Sequence, residues 1–388
     1  MSEKEHRAVV AVVRCTDYAP GPVRHAVEHG VELLGGVERF ARPNERILLK
    51  PNLLVGRPSE RAVTTHPSVF AAVAGVFGDH GCSLSYGDSP GFGTPAAAAR
   101  RAGIADRATE LGIPLGQFSS GEDVPFPEGE LIKRFTIAHG VLSTDGIVSL
   151  PKMKTHGLTR ITAAVKNQFG CIPGPLKAEF HARLPNADLF SRMLVDLNRC
   201  LRPRLFVCDG IVAMEGNGPQ GGRPRPMGVL LLSTDPVALD ATICRLIALD
   251  PMRVPTIVHG HAMGLGQAKD IDLVGDALDP LVAPDFDVNR SPRSTTGGPG
   301  RWSRVARRLV VPRPVINASR CTRCGSCVDV CPVDPKAVTF HGERGAQPPV
   351  HDYERCIRCY CCQELCPESA IDIAVPPLGR TLHRGQRR

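Results

Sequence analysis

Two short cysteine runs near the C-terminus constrain this chain more than any other feature. Residues 321–332 read CTRCGSCVDVCP and residues 356–367 read CIRCYCCQELCP, each a C-x2-C-x2-C-x3-C-P run. Tight turns aim three thiolates of such a run at one iron–sulfur cubane, and the fourth cysteine ligates the cubane of the other run. The spacing therefore assigns Cys321, Cys324, Cys327 and Cys366 to one [4Fe–4S] cluster, and Cys356, Cys359, Cys362 and Cys331 to a second. Pro332 and Pro367 redirect the chain after each run. Cys361 breaks the spacing and reads as a bystander. A zinc site is the weaker alternative, because two complete copies with both prolines are present.

This is the pattern of bacterial two-cluster ferredoxins. Assembly of such clusters needs thiolates kept reduced, so the chain reads as cytoplasmic and oxygen-sensitive. The N-terminus, MSEKEHRAVVAVVRCTD, carries charges where a signal peptide has an apolar stretch, and no run of about 18 uncharged apolar residues offers a membrane span. Net charge is +8, but nine Arg and no acid lie between Asn289 and Val328, so the excess is one local stretch. That distribution argues against a nucleic-acid face, and bound clusters lower the charge further.

With 388 residues, 42% of them hydrophobic and 22% charged, the chain has room for a large folded domain ahead of the cysteine runs. Apolar runs at 8–14, 46–50, 82–88, 146–152, 204–210 and 228–234 alternate with helical patterns at 22–35, 67–78, 95–111, 158–169, 187–201 and 236–249. Such alternation predicts an α/β fold, a mostly parallel sheet with flanking helices. Asp235 and Pro236 form a well-made helix start. We read an α/β domain over 1–278, a Pro/Gly/Arg-rich linker over 279–314 with a short basic helix near 301–310, a small α+β ferredoxin-like domain over 315–375, and a basic tail over 376–388.

Polar residues gather where predicted strands end, at Lys50 and Asn52, Asp88 and Ser89, Lys152 to His156, and Asp209. In an open parallel sheet those ends line the ligand crevice. The chain has only nine Lys, yet Lys152, Lys154, Lys166 and Lys177 fall within 26 residues. A compact ammonium is wanted there. Lys152, Lys154 and His156 are expected to precede a helix whose N-terminus favours an anion, with Lys166 and Asn167 two turns along it. Cys171, at that helix's end, is a thiol for proton donation or metal binding, or a small buried hydrophobe. His181 and Glu215 are further candidates, each with a plain structural alternative. Gly216 to Gly221 matches G-x-G-x-x-G after a strand, but the prolines in GRPRPMG forbid the helix a dinucleotide needs. It reads as a mobile or substrate-lining loop. A flavin is left open, since flavin sites have no short motif.

The segments VSLPKMKTHGLTRITAAVKNQFGCIPG, KAEFHARLP, DGIVAMEGNGPQGG and STDPVALDATICRLIALDP, in that order, closely resemble the family described as domain of unknown function 362, over roughly residues 8–275. The resemblance implies an iron–sulfur redox protein, since that domain is often joined to a ferredoxin-type module. It transfers no catalytic residues. The resulting expectation is a reductase of specialised metabolism. An external low-potential donor, such as a ferredoxin or a reductase, charges the clusters. Electrons then pass to an anionic, unsaturated small molecule. Lys152, Lys154, His156, Lys166 and Cys171 form the catalytic set, while Lys50, Asn52, Asp88, Ser89, Asn167, His181, Asp209 and Glu215 bind substrate. The rivals are an electron-transfer subunit with a silent large domain, and an assembly protein that reduces a metal or tetrapyrrole intermediate.

Overall fold

The computed structural model describes residues 7–184, 186–291 and 311–376. The basic helix expected near 301–310 and the tail beyond 376 lie outside the described residues. β1 (Ala8–Arg14), α1 (Pro20–Leu33), β2 (Arg46–Pro51), α2 (Pro67–Asp79) and β3 (Ser83–Tyr86) open the chain in strict alternation. The single helix expected over 95–111 is two, α3 (Pro95–Arg101) and α4 (Ile104–Glu110), because Gly103 between them takes φ 70°. β4 (Gly121–Pro125) and β5 (Arg134–Ala138) form a separate hairpin, which Asp196 fastens by accepting the Glu130, Leu131 and Ile132 N–H groups. There follow α5 (His139–Leu142), β6 (Gly146–Leu150), β7 (Lys152–His156), β8 (Arg160–Thr162), α6 (Ala164–Asn167), α7 (Gly174–Arg183) and α8 (Ala187–Leu201). β9 (Leu205–Glu215), β10 (Arg223–Ser233), α9 (Pro236–Leu246), α10 (Pro255–Ala262) and β11 (Ile271–Gly275) complete the large unit.

The nine-stranded sheet runs β11-β1-β10-β9-β6-β2-β3, with β7 beside β9 and β8 beside β7. It is mostly parallel, and β10 runs antiparallel to both its neighbours. Alternate residues of each strand enter opposite cores: Val10, Val12, Leu48, Val229 and Leu231 on one face, Ala11, Val13, Leu49, Leu230 and Leu232 on the other. Burial on both faces explains why these strands read as continuous apolar runs. Asp235 caps α9 as its sequence suggests, accepting Val237 and Ala238 N–H.

One expectation fails in a way that matters. Residues 158–169 are not a helix: Arg160, at φ 69°, turns the chain back so that β8 pairs with β7, and only Ala164–Asn167 is helical before a 3-10 turn. Lys152, Lys154 and His156 therefore lie on a strand, and no helix N-terminus stands behind them.

In the C-terminal unit four strands, β12 (Arg313–Ile316), β13 (Val338–Thr339), β14 (Val350–His351) and β15 (Ile371–Ala374), pair antiparallel as β12–β15 and β13–β14. Single-turn helices Ser326–Asp329 and Cys361–Glu364 carry part of each cysteine run.

Candidate functional site

The C-terminal unit packs on the end of β7 and on Arg57 beyond β2, and the loop that failed as a dinucleotide motif is what receives it. Gln220, fully buried, donates to Glu364 O at 3.1 Å and Cys366 O at 2.7 Å, while Asn217 donates to Ile371 O at 3.0 Å. Gln363 donates back to Asn217 Oδ1 at 2.9 Å and Gly218 O at 3.2 Å, and Arg57 to Gln220 Oε1 at 2.7 Å and to Pro367 O. A Cβ at Gly218 would collide with the Thr155 backbone carbonyl, so the loop can lie this close only with glycine there.

Between the two units is a cavity of about 370 Å³. The large unit contributes Asn52, Asp88, Ser89, Lys154, Lys166, Asn167, Lys177 and His181, and the C-terminal unit contributes Val330, Cys361, Glu364 and Leu365. The ammonium of Lys154 donates to Asn52 Oδ1 at 2.7 Å and Val63 O at 2.6 Å. Burial, with Lys166 close by, pushes its pKa down to about 7. Lys177 donates to Ser89 O and is lowered by burial to about 8. Lys50 lies just beneath, pairing with Asp88 at 2.8 Å and donating to Asn167 Oδ1 at 3.2 Å. That packing is tight: a Cβ on Gly170 would overlap Asp88.

Glu364 reaches from the C-terminal unit to Lys166 and to His156 Nε2, each at 3.3 Å. Burial opposes its charge, but Lys166 and His156 hold the carboxyl well below its usual range. His156 Nδ1 accepts the Leu158 and Thr159 N–H groups at 3.0 and 3.2 Å, which places the ring proton on Nε2, facing Glu364. Burial lowers the imidazole to about 4, so it is neutral and holds Glu364 in place. His181 is likewise lowered to about 4 by burial, stacks on Phe190 with centroids 4.5 Å apart, and has a buried Nδ1 with no partner. Asp240 positions α6, and with it Lys166 and Asn167, by accepting Ala164 and Val165 N–H at 2.7 and 3.2 Å.

Six of the sequence candidates do not line this cavity: Lys50 and His156 support residues of its wall, and four stand apart. Lys152 and Asp209 pair with each other at 2.8 Å beside Tyr18 and the His66 ring stacked on it. A register shift in β7 between Lys152 and Lys154 separates the two lysines. Glu215 binds Arg223 at 3.2 Å and the Asp287 N–H at 3.0 Å, fastening the segment after β11. Cys171 is wholly buried, its thiol pushed up to about 12 by burial and directed at Gln168. Sequence reasoning missed Glu364, Gln220 and Asp240. Only Glu364 left a signal, as the one acid inside CIRCYCCQELCP.

The eight run cysteines surround two separate recesses. One is lined by Cys321, Cys324, Cys327 and Cys366 with Ile316, Ala370 and Ile371, the other by Cys331, Cys356, Cys359 and Cys362 with Val333, Ala337 and Val338. Each takes three cysteines from one run and one from the other. Four thiols around each apolar recess are the donor set that an iron–sulfur cubane takes. Backbone N–H groups of Arg323 and Ala370 point at Cys321 and Cys366 Sγ at 3.4 and 3.3 Å, contacts of the kind that tune cluster sulfurs. Cys361, outside both recesses, faces the cavity.

The profile of the family described as "Domain of unknown function (DUF362)" matches residues 47–245, and that of the "4Fe-4S dicluster domain" matches residues 313–369. A "Thylakoid-associated protein" of Synechocystis sp. is 36% identical over 257 residues, covering 66% of this chain and 79% of its own. The lactate racemase apoprotein of Thermoanaerobacterium thermosaccharolyticum gives a TM-score of 0.40 at 9% identity over 64% of this chain and 58% of that one. A Thermotoga maritima protein gives 0.35 at 10% identity, over 57% of each. The chain thus spans less than two thirds of these solved structures. Among the described residues no helix is long and apolar enough to cross a membrane.

Proposed function

Because the chain belongs to the DUF362 family and joins that domain to a 4Fe-4S dicluster domain whose chemistry is electron transfer, we propose that it is an iron–sulfur reductase acting on an anionic, unsaturated small molecule in the cavity between its two units. The observation that carries this reading is the shared wall: Cys361, Glu364 and Leu365 of the cysteine-bearing unit line the same cavity as Lys154, Lys166 and Lys177. Cys321, Cys324, Cys327 and Cys366 would hold one [4Fe–4S] cluster and Cys331, Cys356, Cys359 and Cys362 the other. When bound, these clusters supply low-potential electrons one at a time, drawn from an external one-electron donor protein.

Saturating one double bond consumes two electrons and two protons. Lys166 and Lys177 hold the acid group of the ligand and offset the negative charge that develops on it. Lys154 adds a further ammonium for the ligand's acid groups at the cavity wall, and solvent delivers both protons. Leu54, Phe169 and Leu365 keep the carbon skeleton out of water. Asn52 and Asn167, bonded to each other at 3.1 Å, fix the lysines on that wall. The reading places the protein in a reducing, oxygen-poor compartment such as the cytoplasm, where thiolates stay available for iron.

The test is anaerobic. Protein reduced chemically is mixed with a panel of unsaturated acids, and reoxidation is followed by visible absorbance. An acid should be found that reoxidises the native protein, while Lys154→Met and Lys166→Met reduce normally but lose that reoxidation. Full reoxidation rates in both variants would overturn the proposal.

A further inference from the structure

Charge at the junction is unbalanced in a specific way. Four ammonium groups stand at or just beneath the cavity wall, those of Lys50, Lys154, Lys166 and Lys177. Two carboxylates answer them: Asp88 pairs with Lys50 at 2.8 Å and Glu364 with Lys166 at 3.3 Å. Asp329, also on the wall, is committed to Arg344 at 2.7 Å. Lys154 and Lys177 have no carboxylate partner among the described residues; their bonds go to the neutral oxygens of Asn52, Val63 and Ser89. Lys152 does not enter the sum, since Asp209 neutralises it away from the cavity. Buried charge without a counter-charge is expensive, and a chain tolerates it where a ligand supplies the missing charge.

The two surplus ammonium groups are not side by side. Lys154 comes from β7 and Lys177 from α7. Lys154 is held by Asn52 and Val63 on one part of the wall, and Lys177 by Ser89 on another. Lys166 and Lys177 Nζ lie 5.9 and 5.7 Å from the Phe169 ring centre, on an apolar stretch that Leu54 and Leu365 continue. The unpartnered Nδ1 of His181 offers one further hydrogen bond at this wall.

We infer that the cavity is built for a dicarboxylate, one carboxylate taken by Lys154 and the other by Lys177, with an apolar carbon chain crossing Phe169 between them. This rests on the cavity being the ligand site of the proposed reductase, but binding can be tested without any electron transfer. Calorimetry on the oxidised, cluster-loaded full chain would compare succinate, glutarate and adipate with butyrate, and with glycerol phosphate as a dianion whose charge is concentrated at one end. One of the dicarboxylates should bind at least about tenfold more tightly than butyrate and than glycerol phosphate. Lys177→Met should bring the dicarboxylate-to-butyrate ratio close to one while leaving the visible spectrum and thermal midpoint near native. Lys177→Arg, which keeps the charge, should retain most of the ratio. Equal affinity for butyrate and every dicarboxylate would overturn the inference, as would tighter binding of glycerol phosphate. So would a Lys177→Met protein whose cluster potential moves while the ratio stays, since the surplus charge would then serve the clusters. Dicarboxylate binding with no reoxidation by any unsaturated analogue would defeat the reductase reading alone. Reoxidation by an unsaturated monoacid, with no preference for dicarboxylates, would defeat this inference alone.

Discussion

Glu364→Gln isolates what joins the two units. In the native chain one carboxylate oxygen faces the Lys166 ammonium and the other the His156 Nε2–H, each at 3.3 Å, with the side chain 11% exposed. A glutamine amide has one acceptor oxygen, so its NH2 must be turned toward one of these donors. Breaking one side of a buried ion pair costs about 3–5 kcal/mol, of which the retained oxygen recovers about 1 kcal/mol. The net, about 3 kcal/mol, is on the order of a hundredfold in the population of the undocked state. Its effect should be local, because both partners of Glu364 belong to the other unit. Hydrogen exchange on anaerobic protein checks this: amides of 216–222 and 361–373 should lose about a hundredfold in protection while those of β1 and β10 keep theirs. Because Lys166→Met removes the same pair from its other end, the double variant should fall short of the summed losses by about 1 kcal/mol or more. Additivity within about 0.5 kcal/mol, or protection lost evenly across the sheet, would refute the reasoning.

Cluster ligation can be counted. Cys331→Ser should lower iron from about eight to about four per chain and spare the cluster of the first run, whereas Cys361→Ser should leave the count unchanged; iron and sulfide analysis decides. Ligand affinity should depend on pH through Lys154, near 7 with Lys166, Glu364, Lys152 and Asp88 around it, and Lys177, near 8 with Asp88, Lys50, Lys166 and Cys171 around it. An acid binds the ammonium forms, so affinity falls as pH rises from about 6 to about 9, and binding at the upper end takes up protons. Calorimetry in buffers of different ionisation enthalpy reads that uptake, and Lys154→Met should remove the lower inflection. Gly218→Ala should loosen the docked unit, because its methyl meets the Thr155 backbone rather than a movable side chain; exchange at 361–373 again reports it.

The sheet was legible because burial on two faces writes itself as uninterrupted apolar runs, and β1, β2, β6 and β10 are such runs. The grouping of the eight cysteines was legible because the same spacing recurs in both runs, and those eight line the two recesses. The segment 152–171 was not, because its helix-like content hides a reversal at Arg160, a residue with no intrinsic preference for positive φ. Lys154, Lys166, Asn52, Asp88, Ser89, Asn167 and His181 were named and do meet. Lys152 and Asp209 were drawn into the same set because strand ends mark a crevice but not which side chains turn into it; here they satisfy each other. Glu364 and Gln220 were out of reach for a different reason. Their roles exist only across the junction, between residues 198 and 144 positions apart in the chain.

That separation bears on how the two units work. The large unit by itself leaves the charge of Lys166 unanswered and the loop at Asn217 and Gln220 without acceptors, since Glu364, Cys366 and Ile371 supply both. The cysteine-bearing unit by itself leaves Glu364 without the Lys166 and His156 donors it meets on docking. Each thus carries a defect that only docking repairs, and the repaired surface is the wall of the cavity. A module that merely relayed electrons to a separate enzyme would gain nothing from aiming a carboxylate and Cys361 into a lysine-lined cavity of its own chain. On the proposed reading, the junction makes electron delivery and ligand binding properties of one assembled site. Loosening it through Gly218 or Glu364 should weaken ligand binding in proportion to the undocked fraction, even with every lysine in place.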